Sequence, residues 1–338
     1  MDYSKFTYAP SNKIINKFNC DVPLVNARQI YVIDGGVNGT DLPLSLNIDK
    51  NTQIKDLLQV ISVRNNTSDL KKEFNTDLIM EEDSSARFLM CSHTMSGDNF
   101  YTDEMIKIKL EKNSNADIVY MQNEHNSATH HFHFDINLEE GSSLKMVFMT
   151  LHGGCILDDI KLSLNGEHAN CDLSGLYLMD GNQRIENRID LTHQVPNCNS
   201  SQLFKGILDD NSVGHFDGII RVVKDAQKTK AYQANHNLIL SDQVHTYAKP
   251  QLEIYADDVK CSHGASTGRL DEEELFYMRS RGISMYEAKV LQQMAFVYSV
   301  LKKISNEEIR QRMIELADAR LRGNFPGCTK CAQKSFMI

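Results

Sequence analysis

From about residue 78 to residue 268 the chain is written in short alternating or apolar runs, each cut off by turn-forming residues, and no other feature limits its fold so strongly. The runs are Ile106–Leu110, Phe132–Leu138, Leu144–Met149, Ile160–Leu164, Leu173–Leu178, Gln202–Leu208, His215–Val222, Ala234–Leu240 and Gln251–Ala256. Glu140-Gly141, Asn165-Gly166, Asp180-Gly181 and Asp209-Asp-Asn-Ser212 stand between them. A period of two is what a strand with one buried face requires, and Gly, Asn and Asp supply turn conformations. The middle of the chain is therefore expected to be all-β. Between 171 and 230 the strand starts recur at about 14 to 16 residues, and this periodicity alone allows a sandwich or a solenoid.

After Gly268 the pattern becomes helical. Asp271 and Glu274 have capping-box spacing, Leu275 and Met278 share a face, and Gly282 sits where a C-terminal cap belongs. A second helix is predicted from the box Ser284-Met-Tyr-Glu287, with Ala288, Leu291, Ala295 and Tyr298 on one stripe. A third is predicted from Ser305-Asn-Glu-Glu308 to about Leu321, before Gly323 and Pro326. The expected organisation is thus a lead-in over 1–77, a β core over 78–268 and a helical region over 269–338 ending in a flexible tail. Within the lead-in, Ile30–Asp34 reads as a strand, Ile54–Val63 as a strand or short helix, and Arg64–Thr76 as polar and exposed.

Composition narrows the function classes. Among 338 residues, 36 Lys and Arg face 45 Asp and Glu, a formal charge of −9 with no long basic cluster, which argues against nucleic acid. The N-terminus lacks the apolar stretch of a signal peptide and nowhere do 18 apolar residues run together, so a soluble, cytosolic protein is expected, with no membrane partner. Eight cysteines dispersed over the chain read as reduced thiols. No G-x-x-x-x-G-K-[ST] loop, G-x-G-x-x-G turn or G-x-S-x-G elbow occurs, so ATP hydrolysis would have to come from a partner and no enzyme is expected. Glu253, Asp257 and Asp258 read as solvated strand-end carboxylates.

The densest information lies in residues 249–283, where Leu252, Ile254 and Ala256 alternate with Gln251, Glu253 and Tyr255 before Cys261, His263, Gly264 and the capped helix. This run, together with Lys224–Leu238, Asn199–Asp210 and Gln122-Asn-Glu-His125, resembles the SufB/SufD family of iron–sulfur cluster assembly scaffolds over roughly residues 78–305. The resemblance implies a right-handed parallel β-helix followed by a small C-terminal helical domain. Family members usually carry a longer N-terminal helical region. Asn235, at the position matching a proposed cluster-ligating cysteine of the SufB branch, and Ser262-His263-Gly264, in place of the acidic residues flanking the SufB histidine, place the chain in the SufD branch.

Cys261 and His263 stand two apart, so their side chains share one face of a strand, and thiolate and imidazole both suit iron. On residue type alone they read rather as a small buried hydrophobe and a hydrogen-bonded interface histidine. The resemblance implies that His263 lies at the interface with SufB and takes part in forming the nascent cluster. One histidine and one cysteine fall short of four ligands, so a transient iron or cluster would be shared with SufB, with none stably held by this chain. It also implies that the β-helix pairs with SufB and the C-terminal helices bind the ATPase SufC, one SufB to two SufC to one SufD-like chain, with ATP-driven SufC dimerisation opening the interface. Leu275, Phe276, Arg279, Met285 and Phe296 are candidate partner-binding residues, some of which must be domain core. The chain alone is compatible with a homodimer.

Two further motifs remain. His131 and His133 in His130-His-Phe-His133 would share one strand face and could chelate a metal, but the sequence points to no third ligand, and the group reads as an exposed polar strand face with incidental metal affinity. Cys328-Thr-Lys-Cys331 has the spacing of half a zinc ribbon without a second half. The competing functions are a β-helix enzyme acting on polysaccharide, which would need a carboxylate cluster or Arg on a concave strand face, and a self-sufficient metal-binding protein using His131, His133, Cys261 and His263.

Overall fold

The computed structural model describes residues 27–37, 42–64, 71–94, 99 and 101–324. Their strands are β1 (Ala27–Ile33), β2 (Gly36–Val37), β3 (Leu44–Ile48), β4 (Gln53–Arg64), β5 (Lys71–Met80), β6 (Ser85–Thr94), β7 (Tyr101–Leu110), β8 (Asn115–Asn123) and β9 (Thr129–Leu138). They continue with β10 (Ser143–His152), β11 (Cys155–Leu164), β12 (Asn170–Met179), β13 (Arg184–His193), β14 (Asn199–Leu208), β15 (Val213–Val222), β16 (Lys230–Ile239), β17 (His245–Ile254) and β18 (Lys260–Gly268). Helices α1 (Glu272–Ser280), α2 (Met285–Leu301) and α3 (Glu307–Leu321) follow.

Alternate strands go to alternate sheets. One sheet runs β18-β16-β14-β12-β10-β8-β6-β4-β1-β2 and the other β17-β15-β13-β11-β9-β7-β5-β3. Every pairing except β1 with β2 is parallel, so residue 143 lies beside 170, 170 beside 199 and 199 beside 230. This is a parallel β-solenoid followed by a small three-helix region, as the resemblance implied. Strands β1, β3, β4 and β5 belong to the same stack, and the strand expected at Ile30–Asp34 is β1 while Ile54–Val63 falls within β4. Among the described residues no helix is long and apolar enough to cross a membrane.

The two sheets differ in their outer faces, and the difference is written in the strands. In the eight-stranded sheet β7, β9, β11 and β15 bury every second residue and leave the others half-exposed or exposed. In the other sheet β6, β8, β10 and β12 bury nearly every residue in their second halves, so Met146-Val-Phe-Met149 is a continuous apolar run. What covers that second face is the helical region. Leu89, Val119, Met121, Val147, Met149, Leu176 and Ile207 of the sheet share one apolar cluster with Val297, Val300, Leu301, Ile309, Met313 and Leu316 of α2 and α3. Polar bonds stitch its rim: Lys303 Nζ to Asp172 Oδ1 at 2.6 Å, Lys145 Nζ to Ser305 Oγ at 2.9 Å, and Arg320 to Asp180 Oδ2 at 2.6 Å and to the Leu151 carbonyl at 3.0 Å.

One corner of the solenoid repeats a single backbone device. Asn51, Asp83, Asn113, Gly141, His168, Asn197 and Lys228 all have positive φ, and six of them send their N–H to the carbonyl of a residue on the next coil. Asn, Asp and Gly tolerate this conformation, whereas a long aliphatic stem does not. Lys228, at φ 59°, is the least suited member. Lys228→Gly is expected to stabilise the chain by about 1 kcal/mol; a fall in the thermal midpoint would show that its side chain contributes more than its backbone costs.

Three sequence-based expectations need correction. Arg64–Thr76 is not an exposed polar stretch in its described parts: Arg64 is 3 % exposed, and Phe74 is buried in β5. Arg64 pairs with Glu104 and, at 3.1 Å, with Glu124, between the rings of Phe74 and Phe132. Its charge is tolerated inside because carboxylates arrive from two other coils, a long-range fact that local polarity cannot show. Second, the stripe Leu291, Ala295 and Tyr298 of α2 faces solvent, and the buried face is Ala288, Val290, Gln293, Val297 and Val300. Third, the cap of α3 is Asn306, whose Oδ1 accepts from the Ile309 N–H at 3.0 Å, rather than Ser305. The caps at Asp271 and Ser284 stand as read, and Gly282 has φ +88° after the last turn of α1. Cys20, the N-terminal decapeptide and the Cys328/Cys331 pair lie outside the described residues.

Candidate functional site

The last coil of the solenoid is where the two candidate ligands sit. β17 pairs only with β15 and β18 only with β16, so each ends its sheet. In β18, Cys261 lies beside Ala231 and His263 beside Gln233. Both positions face inward: across the coils Cys171, Ser200, Ala231 and Cys261 line up, as do Leu173, Gln202, Gln233 and His263, and the earlier members of each series are buried. Cys261 is half-buried against the interior cluster while His263 is exposed, because no further coil covers them. Burial, partly offset by a backbone hydrogen bond from the Ala231 position, pushes the Cys261 thiol above its usual range, so a bare thiolate is disfavoured there. The pair thus shares one face, as its spacing predicts.

Beneath His263 the interior is polar. Gln233 Nε2 donates to Gln202 Oε1 at 2.8 Å. Asn235, fully buried, donates to the Tyr177 hydroxyl at 3.2 Å, while that hydroxyl donates to Asn237 Oδ1 at 2.5 Å and Asn237 donates to Asn235 Oδ1 at 2.9 Å. Asn235, Asn237 and Tyr177 thus satisfy one another by hydrogen bonds and supply no soft ligand. The rim of the open coil carries Tyr232, Tyr247, Ile254 and Tyr255 as exposed apolar bodies.

The partner-binding candidates separate. Leu275 is 1 % exposed and belongs to the core of the isolated chain, and Phe296 is half-buried with Lys205 Nζ 4.3 Å above its ring. Phe276 is 74 % exposed, and Arg279, Met285 and Leu291 are exposed with it. A cleft of about 350 Å³ between α1, α2 and the end of β16 is lined by Leu238, Leu270, Met278, Leu291 and Phe296.

The histidine group divides as its alternation requires. His130 points inward and is fully buried beside Thr102, while His131 and His133 point outward together. Burial, which outweighs the attraction of Glu124, drives the His130 imidazole down to about 4, so it is neutral near pH 7. The third and fourth partners that local reading could not find come from neighbouring coils: Asp103 on β7 and Asp159 on β11. No signal in the local sequence marks them, because they lie about one coil away on either side. Glu253 is likewise not a free carboxylate, since Arg221 beside it in the ladder donates to it at 2.8 Å.

The family described as "SUF system FeS cluster assembly, SufBD core domain" matches residues 64–296, and the chain belongs to it. Among curated proteins it is 37 % identical over 199 residues to the iron–sulfur cluster assembly protein SufD of Escherichia coli K12, covering 59 % of this chain and 47 % of that one. A SufBD family protein of Mycobacterium leprae is 31 % identical over 54 % of this chain and 49 % of its own. Protein ABCI7, chloroplastic, of Arabidopsis thaliana is 31 % identical over 63 % of this chain and 45 % of its own. The chain spans about half the length of these relatives. The family carries a role in an iron–sulfur cluster assembly scaffold.

Proposed function

We propose that this chain is the SufD-like subunit of a SUF assembly complex, pairing with SufB through the open end of its solenoid and with SufC through α1 and α2. The observation that carries this is the uncapped last coil. Its inward-facing residues, Cys261 and His263, are left at the surface, and both its strands present an unpaired edge. An edge of that kind invites another strand, and a second solenoid stacked there would bury both side chains at the junction. His263 would then offer a nitrogen lone pair to the iron of a nascent cluster, with Cys261 beside it and the other ligands from SufB. On the helical side, Phe276, Met285, Leu291 and Tyr298 form an apolar surface with Arg279 at its rim, while Leu275 holds α1 in place from beneath. The chain acts by presenting ligands and transmitting force. The charged side chains on the open sheet alternate in sign and pair with one another, which favours this reading over an acid–base enzyme acting on polysaccharide.

The experiment is co-expression with SufB and SufC and anaerobic isolation. A stable complex on size exclusion is expected, and elution of this chain alone under several salt conditions would end the scaffold reading. Phe276→Ala is expected to leave the thermal midpoint of the isolated chain unchanged and to weaken SufC binding by about 2 kcal/mol. His263→Ala is expected to assemble normally and to lower cluster content by visible absorbance and iron analysis. Unchanged iron and sulfide in that assembled variant would leave His263 as an interface residue only.

A further inference from the structure

On the outer face of the eight-stranded sheet, four side chains that the scaffold role does not use converge. His131 and His133 stand on β9 with ring centroids 3.8 Å apart. Asp103, beside His131 in the ladder, places Oδ1 3.0 Å from His133 Nε2. Asp159, beside His133, places Oδ2 2.6 Å from His131 Nε2 and 3.8 Å from His133 Nδ1. The Tyr101 hydroxyl is 3.3 Å from His131 Nδ1 and 3.4 Å from Asp103 Oδ2. One donor atom from each of Asp103, His131 and His133 lies within 4.8 Å of the other two.

The rest of this face shows what an ordinary ion-pair ladder looks like here. Asp159, Arg188, Asp217 and Lys249 lie side by side across four strands, as do Lys107, Asp135, Lys161 and Asp190, with the sign alternating at each step. Each carboxylate in those ladders has a permanent cation beside it. At His131 and His133 the pattern breaks. Two adjacent imidazoles stand where Lys or Arg stands elsewhere, and carboxylates approach them from both sides. Two imidazolium charges that close would repel each other, whereas one divalent cation would use both ring lone pairs and balance the carboxylates.

We propose that Asp103, His131 and His133 bind an exchangeable first-row divalent transition ion, of the class of Zn²⁺ or Fe²⁺. Asp159 serves as the carboxylate that holds His131 through Nε2 and fixes ring orientation, and the metal would take Nδ1 by displacing the Tyr101 hydroxyl that now lies 3.3 Å from it. Two imidazole nitrogens with one carboxylate suit these ions better than Mg²⁺ or Ca²⁺, which want oxygen donors, and the absence of thiolate from the set disfavours Cu(I). All four side chains are partly open to solvent, and His133 and Asp159 border a groove of about 500 Å³ that also touches Arg188 and Asp190. Ion entry and exit are therefore unobstructed. The site lies four strands in from β17, about 19 Å at ~4.8 Å per strand, so it is separate from Cys261 and His263 and independent of the partner reading.

The test uses the whole isolated chain carrying Cys328→Ser and Cys331→Ser, stripped with a chelator and titrated with Co²⁺ by visible absorption and with Zn²⁺ by calorimetry. One equivalent is expected, with the spectrum of nitrogen and oxygen ligation and no thiolate charge-transfer band. Asp103→Asn, His131→Gln and His133→Gln should each weaken binding at least about 10-fold, and Asp159→Asn about 10-fold through loss of orientation. His215→Ala and His263→Ala should leave it unchanged. Circular dichroism checks each fold, and the nearly isosteric Asp103→Asn decides the matter if a histidine variant unfolds. Affinity unmoved by Asp103→Asn, binding abolished by His263→Ala, a thiolate band, or no saturation by about 1 mM metal would overturn the site, whatever the outcome with SufB and SufC.

Discussion

Asp158→Asn is expected to stabilise the chain by up to about 4 kcal/mol at pH 8 and by little near pH 4. Asp158 points into the solenoid between Phe132 and Asn187, fully buried. Gln122 Nε2 donates to its Oδ1 at 2.7 Å, and its Oδ2 has no hydrogen-bond partner among the described residues. Burial, aided by the neighbouring charge of Asp159 and opposed by Gln122, raises its carboxyl to about 7. A group whose folded value lies above its unfolded one binds more protons in the folded state between the two. Stability is therefore lost as pH rises from about 4 to 7, at about 1.4 kcal/mol for each pH unit. Asparagine keeps the acceptor for Gln122 and cannot ionise. His130 and His193, both lowered to about 4 by burial, act in the opposite sense: their contribution is complete above about 6.5 and lost as pH falls. Comparing variant and wild type by urea denaturation at each pH cancels those histidines. Parallel curves from pH 4.5 to 8 would show that Asp158 stays neutral or finds solvent.

Arg64→Ala is expected to cost about 3 to 5 kcal/mol, because it strands acidic groups inside the coil. Glu124 opposes burial with help from His130, from Arg64 and from the hydroxyls of Ser92 and Thr94, and is held down to about 2. With His130 itself neutral, Arg64 and the two hydroxyls carry that effect. Burial raises the Glu104 carboxyl despite Arg64 beside it. Removing the guanidinium leaves the fully buried Glu124 with the Ser92 and Thr94 hydroxyls and a neutral His130 beside it, and no cation among the described residues. The triple variant Arg64→Met, Glu104→Gln, Glu124→Gln should regain most of the loss in chemical denaturation, since it takes the charges away with their partner. If the triple variant is no more stable than Arg64→Ala, the penalty comes from packing rather than from uncompensated charge.

What local pattern can show is which residues alternate, where the chain turns, and where a helix is capped. Each is a relation among residues a few positions apart. Ile106–Leu110, Phe132–Leu138 and His215–Val222 were legible as strands because the open sheet leaves every second side chain in water. β13 (Arg184–His193) was not, because Glu186 and Asn187 interrupt its apolar alternation while being buried. The α2 stripe was misread for a related reason: Leu291, Ala295 and Tyr298 are as apolar as the face that packs on the sheet, and only the sheet tells them apart.

The sequence by itself thus determined that an all-β middle precedes three helices, and the shared face of Cys261 with His263 and of His131 with His133, since these follow from a period of two and from short-range caps, while the solenoid as against a sandwich came from the family resemblance. Only the tertiary structure decided what meets across coils. Partners such as Asp103 with His133, Arg64 with Glu104 and Asn235 with Tyr177 come from different coils. Backbone register brings them together, and no local rule of spacing encodes which residue stands one coil away.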